Sequence, residues 1–253
     1  LMLLSQSGEY KPFDINSDGL ILGEACSAVI LESEKKEKKD FEILSSNSSF
    51  DNYSVTSSNP NGEVTLSCME EALNKAMLVF WEKGYEGTSM SEIIQAIGTK
   101  APSIYAAFGN KDSIFKEAVN LYLKTVIKKQ IVLLHETPDV IEATKISLNS
   151  FVKQFTSKDN PHTCLVMTAA VNASPEHQEH VMYLKKLRQE FKNNWKSRFE
   201  KAKKEGQLNN KLNPQQLADY FVTIIQGMAL SAKDGATKKE LLKTTELAMS
   251  IFY

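Results

Sequence analysis

Apolar positions recur in two different rhythms along the chain, and the change falls near residue 68. Before it only two short runs are apolar. Residues 19–32 (GLILGEACSAVILE) carry a β-branched stretch that ends in charge, and Phe41-Glu42-Ile43-Leu44 is the second. Both read as strands. The EKKEKKD segment between them is a charged loop or a single helical turn, and residues 45–61 are rich in Ser and Asn without periodicity, as a linker is. Two strands and a loop bury too little apolar surface to be stable alone, so residues 1–68 are expected to form no independent domain.

From Met69 the spacing turns helical. Leu73, Met77, Phe80 and Trp81 recur three and four apart, and Gly84 ends that helix. Thr88 is placed to cap a short second helix with Ile93, Ile94 and Ile97, which Gly98 ends. Ala101-Pro102 opens a third short helix, with Pro where its missing N–H costs nothing. Asn110 caps a longer helix over 111–135, and the pattern predicts further helices over 139–156, 163–173, 176–205, 214–232 and 237–252. No internal repeat is present, and the second part of the chain is predicted to be all-helical.

The chain has 253 residues with Lys+Arg 30 against Asp+Glu 31, a net charge of −1. No global charge points to nucleic acid, so any such site is local. No apolar run reaches the roughly 18 residues of a membrane span, which excludes a lipid-embedded protein. Three cysteines (Cys26, Cys68, Cys164) are too few and too scattered for a disulfide framework or a four-ligand zinc site. With no leader-like segment in view, the expected compartment is the reducing cytoplasm. The chain begins at Leu1 rather than Met, which is read as a fragment or a start lying elsewhere.

Two short helices around a glycine turn, preceded by an amphipathic helix, form a helix-turn-helix pattern. Gly98 supplies the tight turn, and Ile93, Ile97 and Ile104 fix the crossing angle. The second helix is short enough to lie in a major groove. Thr99, Lys100, Ala101, Ser103 and Ala106 would face base edges of a double-stranded DNA operator, with Tyr105 and Lys111 set for phosphates. Lys111 sits at a helix N-terminus, which itself favours an anion. Thr88, ahead of the first of the two helices, is counted with the DNA-facing set. Periodicity alone equally allows Tyr105 and Phe108 a place in the core.

The run ALNKAMLVFWEKGYEGTSMSEIIQAIGTKAPSIYAAFGNKDSIFKEAV resembles the DNA-binding region of TetR-type transcriptional regulators. The likeness continues through TCLVMTAAV, the long helix around Trp195 and IIQGMALSAKDGATKKELL, covering about 69–253. It implies a helix-turn-helix head over 69–118 and a helical ligand-binding and dimerisation bundle over 119–253. The protein would be a homodimer joined by its last two long helices, with Leu217, Tyr220, Phe221, Ile224, Met228, Leu241, Thr245, Ala248 and Phe252 compatible with that face or with monomer core. A small-molecule effector would enter among the middle helices, shift the reading heads apart and release the operator. Phe151, Phe155, Met167, Phe191 and Trp195 are the candidate pocket residues, and each fits ordinary core as well. No cofactor or catalytic residue is implied. A dimeric small-molecule binder that has lost DNA binding is the alternative of another class.

The first part carries a different likeness. KPFDINSDGLILGEACSAVILE resembles a segment of β-ketoacyl synthases, through Pro12-Phe13-Asp14, Asp18-Gly19, Gly23-Glu24 and Leu31-Glu32. It departs from that family at Ser17 and at Ala25-Cys26-Ser27, where a glycine-rich turn is usual. Cys26 stands at that turn and not where the family keeps its nucleophile, and no His precedes His135 to activate a thioester. Condensing-enzyme activity is therefore not expected. The chain reads as a fragment of one family joined to nearly all of another, by gene fusion or by an artefact of assembly or reading frame.

Residues 40–74 hold no Lys or Arg but six acids (Asp40, Glu42, Asp51, Glu63, Glu70, Glu71), where such regulators usually carry a basic arm. The full chain is thus expected to bind DNA more weakly than one starting near Met69. Nine basic residues within 183–204 alternate with Leu187, Phe191, Trp195 and Phe199, so they read as a solvated helix face. His177 and His180 are an i, i+3 pair that could hold a metal with one more ligand, which the sequence does not single out. Cys164 reads as a buried small residue rather than a sensing thiol.

Overall fold

The computed structural model describes residues 63–170 and 174–253. The two predicted strands, 19–32 and 41–44, lie outside the described residues. The chain divides into two units, Leu1–Cys68 and Met69–Tyr253, and almost all described residues belong to the second. Among them there is no strand, and no helix is long and apolar enough to cross a membrane.

Three helices make the head. α1 (Glu63–Lys83) begins six residues before the predicted start and buries Ala76, Met77, Phe80 and Trp81. It ends at Gly84, whose φ of 75° is a left-handed conformation that only glycine adopts without strain. α2 (Met90–Ile97) is capped by Ser89 and not by Thr88. The Ser89 Oγ accepts from the Glu92 N–H at 3.2 Å while the Glu92 carboxylate accepts from the Ser89 N–H at 2.8 Å, a reciprocal capping box. Gly98, at φ 79°, turns the chain into α3 (Ala101–Phe108), which Gly109 ends.

α4 (Lys111–Tyr122) opens with Asn110 accepting from the Ser113 N–H at 2.9 Å. The predicted single helix over 111–135 is interrupted. Leu123–Ile127 forms a π-helical segment before α5 (Lys128–Glu136). α6 (Val140–Phe155) follows, capped by Asp139. The predicted helix over 163–173 shrinks to one turn, α7 (Leu165–Thr168); residues 171–173 lie outside the described set. The backbone around α7 is used elsewhere: the Thr163 carbonyl accepts from the Trp81 indole N–H at 2.9 Å, and the Ala169 carbonyl accepts from the Tyr85 N–H at 2.6 Å. A 3₁₀ turn (Pro175–His177) leads into α8 (Gln178–Lys204), then α9 (Pro214–Lys233) and α10 (Lys238–Met249), which ends in a 3₁₀ turn (Ser250–Phe252).

An aromatic spine holds the bundle. Trp81 meets Tyr122 edge to face at 4.7 Å, while Trp195, Phe199 and Phe252 pack around Phe221 at 5.5–5.9 Å. Most residues considered for a dimer face therefore lie inside the single chain. Leu217, Phe221, Met228, Leu241, Thr245 and Ala248 are all buried within it, because α9 packs on α8 and α10 packs on α6. The faces left open on these helices carry Leu230, Leu247 and Ile251 instead.

Candidate DNA-reading head and effector cavity

The head is built from three buried isoleucines. Ile93 and Ile97 of α2 and Ile104 of α3 are at most 3 % exposed, and burying each contributes about 1.5–3 kcal/mol. Ile104 is the only fully buried side chain of α3, so the rest of that helix is presented outward. Thr99, Lys100, Ser103, Tyr105 and Ala106 are exposed, and Ala101 is half-buried. Tyr105, which periodicity alone allows in the core, is 50 % exposed. Phe108 is the half-buried one, packed against the core.

Two members of the predicted set sit differently. Thr88 is 2 % exposed and its hydroxyl donates to the Gly84 carbonyl at 2.7 Å. It locks the turn after α1 and has no surface to offer a phosphate. Lys111 is half-buried, with Nζ 4.1 Å from the centre of the Tyr85 ring, a cation–π contact. Burial lowers its pKa. Lys83 Nζ donates to the Glu92 carboxylate at 2.6 Å, tying α1 to α2. That bond and the Ser89 hydrogen bonds hold the Glu92 carboxyl at about 2.

A cavity of about 120 Å³ opens between the π-helical segment, α5, α6, α7 and α8. Of the candidate pocket residues, Phe151, Met167 and Phe191 line it. Phe155 and Trp195 do not: both are buried behind its wall, Phe155 against Phe151 and Trp195 among Phe191, Phe199 and Phe221. Trp195 lies one turn beyond Phe191 on α8 and is taken up by the packing on α9. Sequence reasoning missed Leu123 and Ile127, which the π-helical segment turns into the cavity, and the polar wall of Arg188 and Asn194. The Arg188 Nη1 donates to the Val166 carbonyl at 2.8 Å.

Cys164 also lines the cavity. A buried chain of amides and hydroxyl leads to it: Gln130 donates to Gln154 at 3.4 Å, Gln154 to the Tyr122 oxygen at 3.0 Å, and the Tyr122 hydroxyl to the Cys164 Sγ at 3.3 Å. Burial pushes the Cys164 thiol up, which disfavours the thiolate a sensing cysteine needs.

Between head and body lies a polar joint. The Tyr85 hydroxyl donates to Asp112 Oδ1, and the fully buried His180 ring holds the same oxygen at 2.8 Å through Nε2. These two bonds, Tyr85 first, hold the Asp112 carboxyl below the ordinary range, and burial with the Asp112 bond pushes the Tyr85 hydroxyl up. Glu86 accepts from the Ser174 N–H at 2.8 Å, and Lys116 pairs with Glu179 at 3.3 Å across the same seam. Of the basic residues on α8, Lys185, Lys186, Lys201 and Lys204 are exposed, and Arg188, Lys192, Lys196 and Lys203 are half-buried. Arg198 is the exception: it is buried and donates to the carbonyls of Leu134, Thr137 and Pro138 at the end of α5.

A small helix-turn-helix head stands on a helical body that holds an internal cavity. Comparison with known proteins gives the family. Residues 72–118 match the bacterial regulatory proteins of the tetR family, and residues 146–242 match the tetracyclin repressor-like C-terminal domain. The transcriptional repressor ComR of Escherichia coli is 30% identical over 175 residues, 69% of this chain and 83% of ComR. The TetR family regulator CifR, solved as a cysteine mutant complexed with 26bp operator DNA, superposes with a TM-score of 0.70 at 32% identity, over 73% of this chain and 96% of CifR. The chain belongs to the tetR family of bacterial regulatory proteins. A separate match is to a mitochondrial 3-oxoacyl-[acyl-carrier-protein] synthase of Schizosaccharomyces pombe, 34% identical over 73 residues, which is 27% of this chain and only 17% of that enzyme.

Proposed function

We propose that the protein is an operator-binding transcriptional repressor, released by a small apolar effector and acting as a homodimer in the cytoplasm. The observation that carries this is the outward face of α3, where Thr99, Lys100, Ser103, Tyr105 and Ala106 stand exposed on a scaffold anchored by three buried isoleucines. Similarity to a regulator solved on operator DNA supports the same reading. Residues 69–118 serve as the reading head and 119–253 as the effector and dimer part, while 1–68 is a synthase-like remnant. No enzymatic role is assigned to it, since it corresponds to so small a share of its synthase relative and Cys26 has no partner His before His135.

The dimer face we assign is the open side of α9 and α10. Gly227 has nothing within 4 Å of where a Cβ would stand, so a partner helix is free to approach closely, and Leu230 (57 % exposed) on α9, Leu247 (74 %) on α10 and Ile251 (37 %) in the turn after it are exposed large apolar side chains of this part of the chain. The effector reading rests on the cavity beside the π-helical segment, a departure from regular helix that recurs at functional sites. The test is binding of the DNA upstream of its own gene. Lys100→Ala is expected to weaken specific binding by about 1–3 kcal/mol, the worth of one good base contact. Unchanged affinity and specificity in Lys100→Ala and Ser103→Ala together would remove α3 from the interface.

A further inference from the structure

The joint between head and body carries chemistry that neither the DNA-reading face nor the cavity uses. We propose that Asp112, His177 and His180 form a site for a divalent first-row transition cation of the zinc class, clasping the start of α4 to the start of α8. The sequence shows only the two histidines, three residues apart; the fold supplies the carboxylate from 65 residues upstream. One ligand atom from each of the three lies within 4.8 Å of the others. Four-coordinate zinc, with bonds of about 2.0–2.2 Å, sets its ligand atoms roughly 3.3–3.5 Å apart. His180 Nε2 and Asp112 Oδ1 are 2.8 Å apart, so that pair opens slightly. The widest pair closes by about 1 Å, a movement open to His177 in its half-buried 3₁₀ turn.

The donor set selects the cation. Two imidazoles and one carboxylate suit zinc and its neighbours, whereas magnesium and calcium take oxygen ligands. His180 is fully buried and its Nδ1 has no partner, so the ring's single hydrogen bond is the one to Asp112. A cation takes the place of the hydrogen between His180 Nε2 and the Asp112 carboxylate, and the neutral ring keeps its one proton by carrying it on Nδ1. Tyr85 donates to the Asp112 carboxylate, the kind of outer hydrogen bond that orients a ligating oxygen. A fourth ligand is at hand: Glu179 Oε1 lies 3.8 Å from the same His180 nitrogen, now paired with Lys116. Because Asp112 follows Lys111 at the edge of the head, a bound cation stabilises one setting of head against body.

The experiment is calorimetric titration of the full chain, stripped with a chelator, with zinc chloride, followed by cobalt loading for the visible spectrum. One cation per chain is expected, with a tetrahedral cobalt band and a rise in the unfolding midpoint that magnesium does not give. His177→Ala leaves the Tyr85–Asp112–His180 bonds in place and is expected to fold, yet to lose more affinity than the roughly 10–100-fold that removal of an outer partner costs. Tyr85→Phe, a positioning change that keeps the ring, is expected to lose about that 10–100-fold. No bound cation, a hexa-aquo cobalt spectrum, or equal affinity in wild type, His177→Ala and Asp112→Asn would each overturn the site. None of these readouts involves DNA, so the outcome is separable from the repressor reading.

Discussion

At the scale of single residues, the head is held by contacts that lie one position away from where a simple reading places them. Ser89 and Thr88 are both cap-forming types, and only the S-x-x-E spacing to Glu92 distinguishes them. That signal is in the sequence. The Thr88 hydroxyl instead closes the turn on Gly84. Replacing Ser89 with Ala is expected to cost about 0.5–2 kcal/mol in chemical unfolding; no change would show the cap to be idle. Glu92 gives a pH test of the same corner. Its folded pKa of about 2 lies below its ordinary value, so its contribution is present above the carboxylate range and fades as pH falls from about 4.3 toward 2. The stability gap between wild type and Glu92→Gln should narrow over that window, and a constant gap would contradict the assignment.

At the scale of elements, the long helices follow directly from apolar spacing, and their caps mark their ends. α9 and α10 begin at Asn213 and Thr237 as side-chain caps require. What spacing does not reveal is which turns face a cavity and where a helix is under-wound or cut short. The 163–173 stretch is apolar enough to read as helix, yet the Thr163 and Ala169 carbonyls are taken by Trp81 and Tyr85 from the head, a tertiary use of backbone groups with no local signature. Phe155 and Trp195 share the helical phase of true cavity residues and are separated from them only by neighbouring helices. The π-helical segment Leu123–Ile127 is likewise invisible in an ordinary helical pattern. Deleting Lys124 should restore a regular helix, turn Leu123 and Ile127 away from the cavity and abolish effector release while leaving operator binding intact. Retained release would show the bulge to be incidental.

At the scale of the whole molecule, three couplings matter. The Asp112–His180 pairing spans 68 residues, which is why only two of the three residues of the proposed metal site were legible in the sequence. The apolar residues of α9 and α10, which the sequence leaves open to a dimer face or to monomer core, divide for a related reason: α6 and α8 cover Leu217, Phe221, Met228, Leu241, Thr245 and Ala248, and leave Leu230 and Leu247 exposed. Leu230→Arg with Leu247→Glu is expected to yield a folded monomer by light scattering, with operator affinity sharply reduced; an intact dimer would move the interface elsewhere. The stretch over 40–74 holds six acids and no Lys or Arg, and four of the acids (Asp40, Glu42, Asp51, Glu63) precede Met69; they are expected to weaken DNA binding. A chain beginning at Met69 should bind more tightly and with a steeper salt dependence, by about 0.9 in the log–log slope for each phosphate contact regained.

The most direct measurement is fluorescence anisotropy of the full chain on its own upstream DNA across a salt series, with wild type and Lys100→Ala side by side. A repressor reading through α3 predicts salt-dependent binding that discriminates this DNA from scrambled duplex, and a loss of that discrimination worth about 1–3 kcal/mol in Lys100→Ala. Equal binding to both duplexes, or a Lys100→Ala protein as selective as wild type, would contradict it.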